Sequence, residues 1–118
     1  MTRFECTIPG NPIPWGRTEG SGKRRYKAER TRTYQETVGW YARQVWKGDP
    51  LKVPLKLGMT LRFYRETAQW CDLDRLENNI MDALEGIVYE NDVQIWAKHS
   101  EKGIDRENPR VEILVEVL

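Results

Sequence analysis

The stretch Trp70–Ile95, WCDLDRLENNIMDALEGIVYENDVQI, decides the fold. Leu76, Ile80, Ala83, Leu84 and Ile87 recur at the spacing of one helical face, which predicts a helix from about Asp74 to Glu85. Gly86 stops it. Val93, Ile95 and Ala97 then alternate as a strand. Seven of the 26 residues are acidic, and only Arg75 is basic. Asp74 suits a helix N-cap, where free N–H groups and the dipole favour a carboxylate.

Working outward, Leu55, Leu57, Met59, Leu61 and Phe63 alternate with polar residues, so a strand precedes this helix. Thr33 and Glu36 have capping-box spacing. Tyr34, Val38, Tyr41, Ala42 and Val45 then mark an earlier helix, closed by Gly48 and Pro50. At the start, Phe4, Cys6 and Ile8 alternate with Glu5 and Thr7 as a first strand. At the end, Val111, Ile113, Val115 and Val117 mark a last one. The polar segment SEKGIDRENPR (Ser100–Arg110) reads as the loop of a wide hairpin. The order β-α-β-α-β-β predicts an α+β fold, a mixed four-stranded sheet with two helices packed on it. The 118 residues suit one domain, residues 1–118.

Formal net charge is only +1, from 19 Lys/Arg and 18 Asp/Glu, but the charges are segregated. PGNPIPWGR (Pro9–Arg17) carries three prolines and two glycines, which forbids regular structure. The segment from Arg17 to Arg32 then holds seven basic residues against Glu19 and Glu29, and reads as a mobile basic loop. The two cysteines, Cys6 and Cys71, stand far apart with no grouped histidine, which argues against a zinc site. Free thiols and the lack of any long apolar run point to a cytoplasmic protein with no membrane contact.

The acidic stretch contains a candidate metal site. Asp72 and Asp74 stand two apart at the helix start, and Asn78 and Asp82 continue the same helical face. A strand returning after the Gly86 turn is expected to bring Asp92 beside Asp72 and Asp74. Carboxylates at ~4 Å repel by roughly 4 kcal/mol at an effective dielectric of ~20, and a divalent cation removes that cost. Oxygen ligands with no Cys or His among them point to Mg²⁺ or Mn²⁺. Such an ion polarises a phosphoryl oxygen and activates water. The same residues also serve helices as caps and solvated surface. A calcium loop fails because Leu76 and Glu77 fall at ligand and turn-glycine positions.

The motif CDLDRLENNIMDALEGIVYENDVQI resembles the RusA family of Holliday-junction resolvases, common in phages and prophages. Asp72, Leu73, Asp74, Leu76, Asp82, Ala83, Leu84, Gly86, Asp92 and Gln94 carry the match. FECTIPGNPIPWGR (Phe4–Arg17) is similar to the family's first strand and the turn after it. The resemblance implies a homodimer that cuts four-way DNA junctions by Mg²⁺-dependent hydrolysis, in recombination and repair. It implies Asp72, Asp74 and Asp92 as metal-binding and catalytic residues. The chain departs from the family at Asn91, where another Asp is usual, and at Asn78, where a lysine is often found. Lys98 or Lys102 is expected to supply that charge, or Asn78 to reach the metal through water.

DNA phosphates call for Lys and Arg, so Arg17, Lys23, Arg24, Arg25 and Lys27 are expected to bind DNA. Trp70, beside the aspartates, suits stacking on a base or wedging at a branch point. Trp15, Trp40, Trp46 and Trp96 are assigned mostly to the core or to dimer contacts, His99 to the surface, and Cys71 to the core. Two symmetric cuts in a two-fold junction call for two sites and hence a dimer. Two rival readings remain: a branched-DNA-binding protein that does not cut, and a nuclease for flaps or forks.

Overall fold

In the computed structural model residues 3–16 and 21–118 are described, with side chains in the first helix described from residue 29 onward. Alternation builds the sheet. Strand β1 (Arg3–Pro9) buries Phe4, Cys6 and Ile8. Strand β2 (Leu57–Arg65) buries Leu57, Met59, Leu61, Phe63 and, at its end, Arg65. Strand β4 (Arg110–Val117) buries Val111, Ile113 and Val115. Each strand turns one face to the helices and the other to solvent. The sheet order is β1-β4-β2-β3, where β3 is Ile95–Ile104. Strand β4 runs antiparallel to β1 and β2, and β3 runs parallel to β2. This is the mixed α+β sheet expected, in the expected order of elements.

Helix α2 (Leu73–Leu84) joins the parallel pair β2 and β3, as a parallel connection requires. Its Leu76, Ile80, Ala83 and Leu84 pack into the core with Tyr34, Val38 and Ala42 of helix α1 (Ser21–Val45). The segment 10–16 has no regular structure and lies along both helices. Asn79 donates to the Ile13 carbonyl at 2.9 Å, the Trp15 N–H donates to the Arg75 carbonyl, and the Gly16 N–H donates to Thr31 Oγ1.

Five expectations need correction. Helix α1 begins at Ser21, so residues 21–32, read as a mobile loop, are helical and Thr33 is not a cap. Lys, Arg, Ala and Glu are good helix formers, and about 37 Å of helix is longer than the strands it packs on, so its early turns lack an apolar stripe. The α2 N-cap is Asp72, not Asp74. Strand β3 continues through Ile104, into the segment read as a loop. As an edge strand bonded only to β2, it carries polar residues where a central strand carries apolar ones. The expected β3–β4 hairpin is not formed: β2 lies between the two strands and pairs with both, so the connection after β3 crosses past β2 to reach β4. Finally, Asp92 opens a single 3-10 turn, Asp92–Gln94, ahead of β3.

Candidate functional site

Helix α2 has two chemically different ends. At its start, Asp72 occupies the N-cap with extended backbone, yet its side chain makes no capping hydrogen bond. The carboxylate is largely exposed and lies 3.4 Å from Arg75 Nε. Asp74 follows, exposed in the first turn, and Asn78 is exposed one turn on. Around Asp72 the charge is positive. Lys102 Nζ donates to the Cys71 carbonyl, 2.6 Å away, and Arg65, Arg30 and Arg75 border the same hollow. Burial pushes the Cys71 thiol up, while Arg65 and Lys102 pull it down and Asp72 raises it.

At the other end the charge is negative. Glu85 Oε1 accepts the Asp92 N–H at 2.8 Å. Asp82 is raised above the ordinary carboxylate range by partial burial, then by Asp92 and Glu85, with Gln35 and Trp15 bonding in opposition. Asn91, where the family usually has Asp, is a cap here: it accepts from the Val93 N–H, and Gln94 closes the reciprocal bond. Gln94 itself is 2% exposed. Its Oε1 accepts from the Glu90 and Asn91 N–H groups, and its Nε2 donates to the Leu51 and Leu55 carbonyls.

The expected gathering of Asp92 beside Asp72 and Asp74 is therefore not found within one chain. The twelve residues of α2 separate them by about 18 Å at 1.5 Å per residue. Among the described residues, no three His, Cys, Asp or Glu side chains are placed to share a cation. A Mg²⁺ ion needs oxygens at ~2.1 Å, so Asp72 and Asp74 alone cannot complete a three-carboxylate site.

The accessory residues divide. Lys98 is held by the nearly buried Glu77 at 3.1 Å, whereas Lys102 stands at the Asp72 end. Trp70 is 99% exposed beside the hollow. Trp46 packs edge-on against Phe4, as a core residue should. Trp15, Trp40 and Trp96 are exposed, so of the two expected roles, core and dimer contact, the core one fails for these. Cys71 is half-buried against the core, and His99 is exposed, as expected. Arg17 lies outside the described residues, as do the side chains of Lys23, Arg24, Arg25 and Lys27. Sequence reasoning missed Arg65 and Arg30. Arg65 continues the buried alternation of β2 by one step, which was the available signal.

Unspent carboxylates at a helix start, beside a cationic hollow, are the groundwork of a phosphate-handling protein. The family model for the RusA endodeoxyribonuclease matches residues 9–116. The chain belongs to that family. Membership makes it an endodeoxyribonuclease and brings the family's substrate class, branched DNA of the Holliday type. A search of curated proteins finds no match. No helix is long and apolar enough to cross a membrane among the described residues.

Proposed function

We propose that the chain resolves four-way DNA junctions by paired symmetric nicks, acting as a homodimer with Mg²⁺, for which Mn²⁺ serves as a substitute. The cytoplasm, where Cys6 and Cys71 stay reduced, is its compartment. The observation that carries this reading is the split of the family's acidic residues between the two ends of α2. In a two-fold dimer with the two α2 helices antiparallel, Asp72 and Asp74 of one protomer meet Asp92 of its partner. Two such sites form at once, one for each strand to be cut.

When bound there, the ion supplies Lewis-acid stabilisation of the phosphoryl oxygen and a water of lowered pKa. The chain's own part is to position. Asp72 and Asp74 hold the donor oxygens on a rigid helix start. The Asn91–Gln94 turn fixes the backbone of Asp92. Lys102, at the Asp72 end, offers the cation that Asn78 no longer provides. Attack breaks the P–O3′ bond and leaves 5′-phosphate and 3′-hydroxyl ends. The basic residues Arg17, Lys23, Arg24, Arg25 and Lys27 contact phosphates away from the cut.

Subunit mixing tests this. Asp74→Asn and Asp92→Asn homodimers are each expected to be inactive on a labelled junction in Mg²⁺. Their mixed dimer carries one intact composite site, so nicking returns, at one strand per dimer. No recovery in verified mixed dimers would refute the shared site. Junction binding with no cut by the unaltered protein would favour a binding protein.

A further inference from the structure

The hollow beside Asp72 has a volume of about 320 Å³, and three elements converge on it. Arg30 comes from α1, Arg65 from the end of β2 and Arg75 from the first turn of α2. Arg65 is the telling residue. It is 8% exposed, and its Nε has no hydrogen-bond partner. Its one side-chain hydrogen bond among the described residues runs from Nη1 to the Gln69 carbonyl, 3.2 Å away. No carboxylate pairs with it among the described residues. A buried cation without a counter-ion is costly, and an anion in the hollow returns that cost.

A guanidinium donates to phosphate oxygens in a fixed fork; here Arg65 has its Nε free, Arg30 lines the hollow beside it, and Arg75, which shares its Nε with Asp72 at 3.4 Å, turns its remaining N–H groups to the same place. Trp70 stands on the rim, fully exposed, and a free indole face is a stacking plate for a base. A phosphate next to a stacked base is one nucleotide of a splayed strand. We infer that Arg30, Arg65 and Arg75 form a pocket for one backbone phosphate beside the scissile one, with Trp70 stacking on the attached unpaired base at the branch. This rests on the branched-DNA reading above. It assigns specificity to a splayed strand, which intact duplex does not offer.

The test is junction binding without divalent metal, over a range of salt. Arg75→Gln and Arg30→Gln are each expected to weaken binding about 5- to 10-fold and to lower the salt slope by ~0.9, the signature of one lost phosphate contact. Trp70→Ala weakens binding with an unchanged slope, because stacking carries no charge. Arg62→Gln, on the opposite sheet face, changes neither. A single neutral methylphosphonate at the contacted phosphate mimics Arg75→Gln, and the two together lose no more than either alone. Unchanged slopes in both arginine variants, with junction binding intact, overturn the pocket and leave the resolvase reading standing. A slope loss on a chain that binds linear duplex as tightly keeps the phosphate site but removes both the branch-point nucleotide and the junction reading. Competition by inorganic phosphate with no methylphosphonate effect assigns the hollow to a free anion and overturns the DNA contact.

Discussion

Replacing Gln94 with methionine is the sharpest test of how the fold delivers Asp92. Methionine has similar length and keeps the packing volume, but it cannot make the four hydrogen bonds of the amide. The Asn91 N–H and the Leu55 carbonyl lose their partner, whereas the Glu90 N–H and the Leu51 carbonyl lose the amide but keep their bond to each other at 3.1 Å. Each such bond contributes about 1 kcal/mol net, and more where the stranded group is cut off from water. Glu90, Asn91 and Leu55 are exposed enough for water to replace part of the loss, while Gln94 itself is deeply buried. The expected cost is about 2 kcal/mol, a large share of a small domain's stability. At roughly 4 °C per kcal/mol for this size, Tm falls by about 8 °C. Urea unfolding followed by circular dichroism gives the free energy directly, with an unchanged m-value. Gln94→Glu is the companion: it keeps both accepted bonds but turns lone pairs on the Leu51 and Leu55 carbonyls, and it recovers stability as acid protonates it. A loss under 1 kcal/mol in the methionine variant would mean that the amide does not clamp the loop at 51–55 to the turn carrying Asp92.

Three further outcomes follow from particular residues. Arg65→Met removes a buried unpaired cation, so the free protein should gain about 1 kcal/mol, or roughly 4 °C in Tm, while losing junction affinity. Thermal melts and binding curves of the same sample decide it. Gly86→Ala puts a side chain at a φ of +85°, in the left-handed region, and should cost ~1–2 kcal/mol in a urea titration although the space around it is open. Asp105 is held below its ordinary pKa by the Asn108 N–H and by Arg110. Its contribution is present above the unfolded-state pKa of ~3.9 and is lost as pH falls through the lower folded value. Asp105→Asn should therefore flatten the acid limb of a Tm–pH curve and leave its alkaline limb alone.

Much of this fold was legible because its core strands alternate and its second helix repeats. Leu57 to Phe63 and Leu76 to Leu84 are patterns with few rival readings, and both are buried as read. Helix α1 was harder. Its early turns, rich in Arg and Lys, have no apolar period, and a charge run looks the same in a loop as on an exposed helix. Strand β3 hid for the opposite reason: at a sheet edge, backbone bonding suffices and Lys98, His99, Glu101 and Lys102 are tolerated. Gln94 matched a motif, but nothing in a string of letters says that an amide will clamp four backbone groups.

The position of Asp92 was decidable from the order of elements. When a strand, a helix and a parallel strand follow one another, the second strand must start where the helix ends. A residue opening that strand is then a full helix length from one at the helix start. On the reading proposed above, the same distance that denies a single chain its third carboxylate makes hydrolysis depend on pairing. A lone protomer has the arginine-lined hollow near Asp72 but lacks Asp92 at that place. On the same reading the cutting sites arise only in a two-fold assembly, whose symmetry is that of the four-way junction, so the geometry that completes the site also sets the two cuts opposite one another.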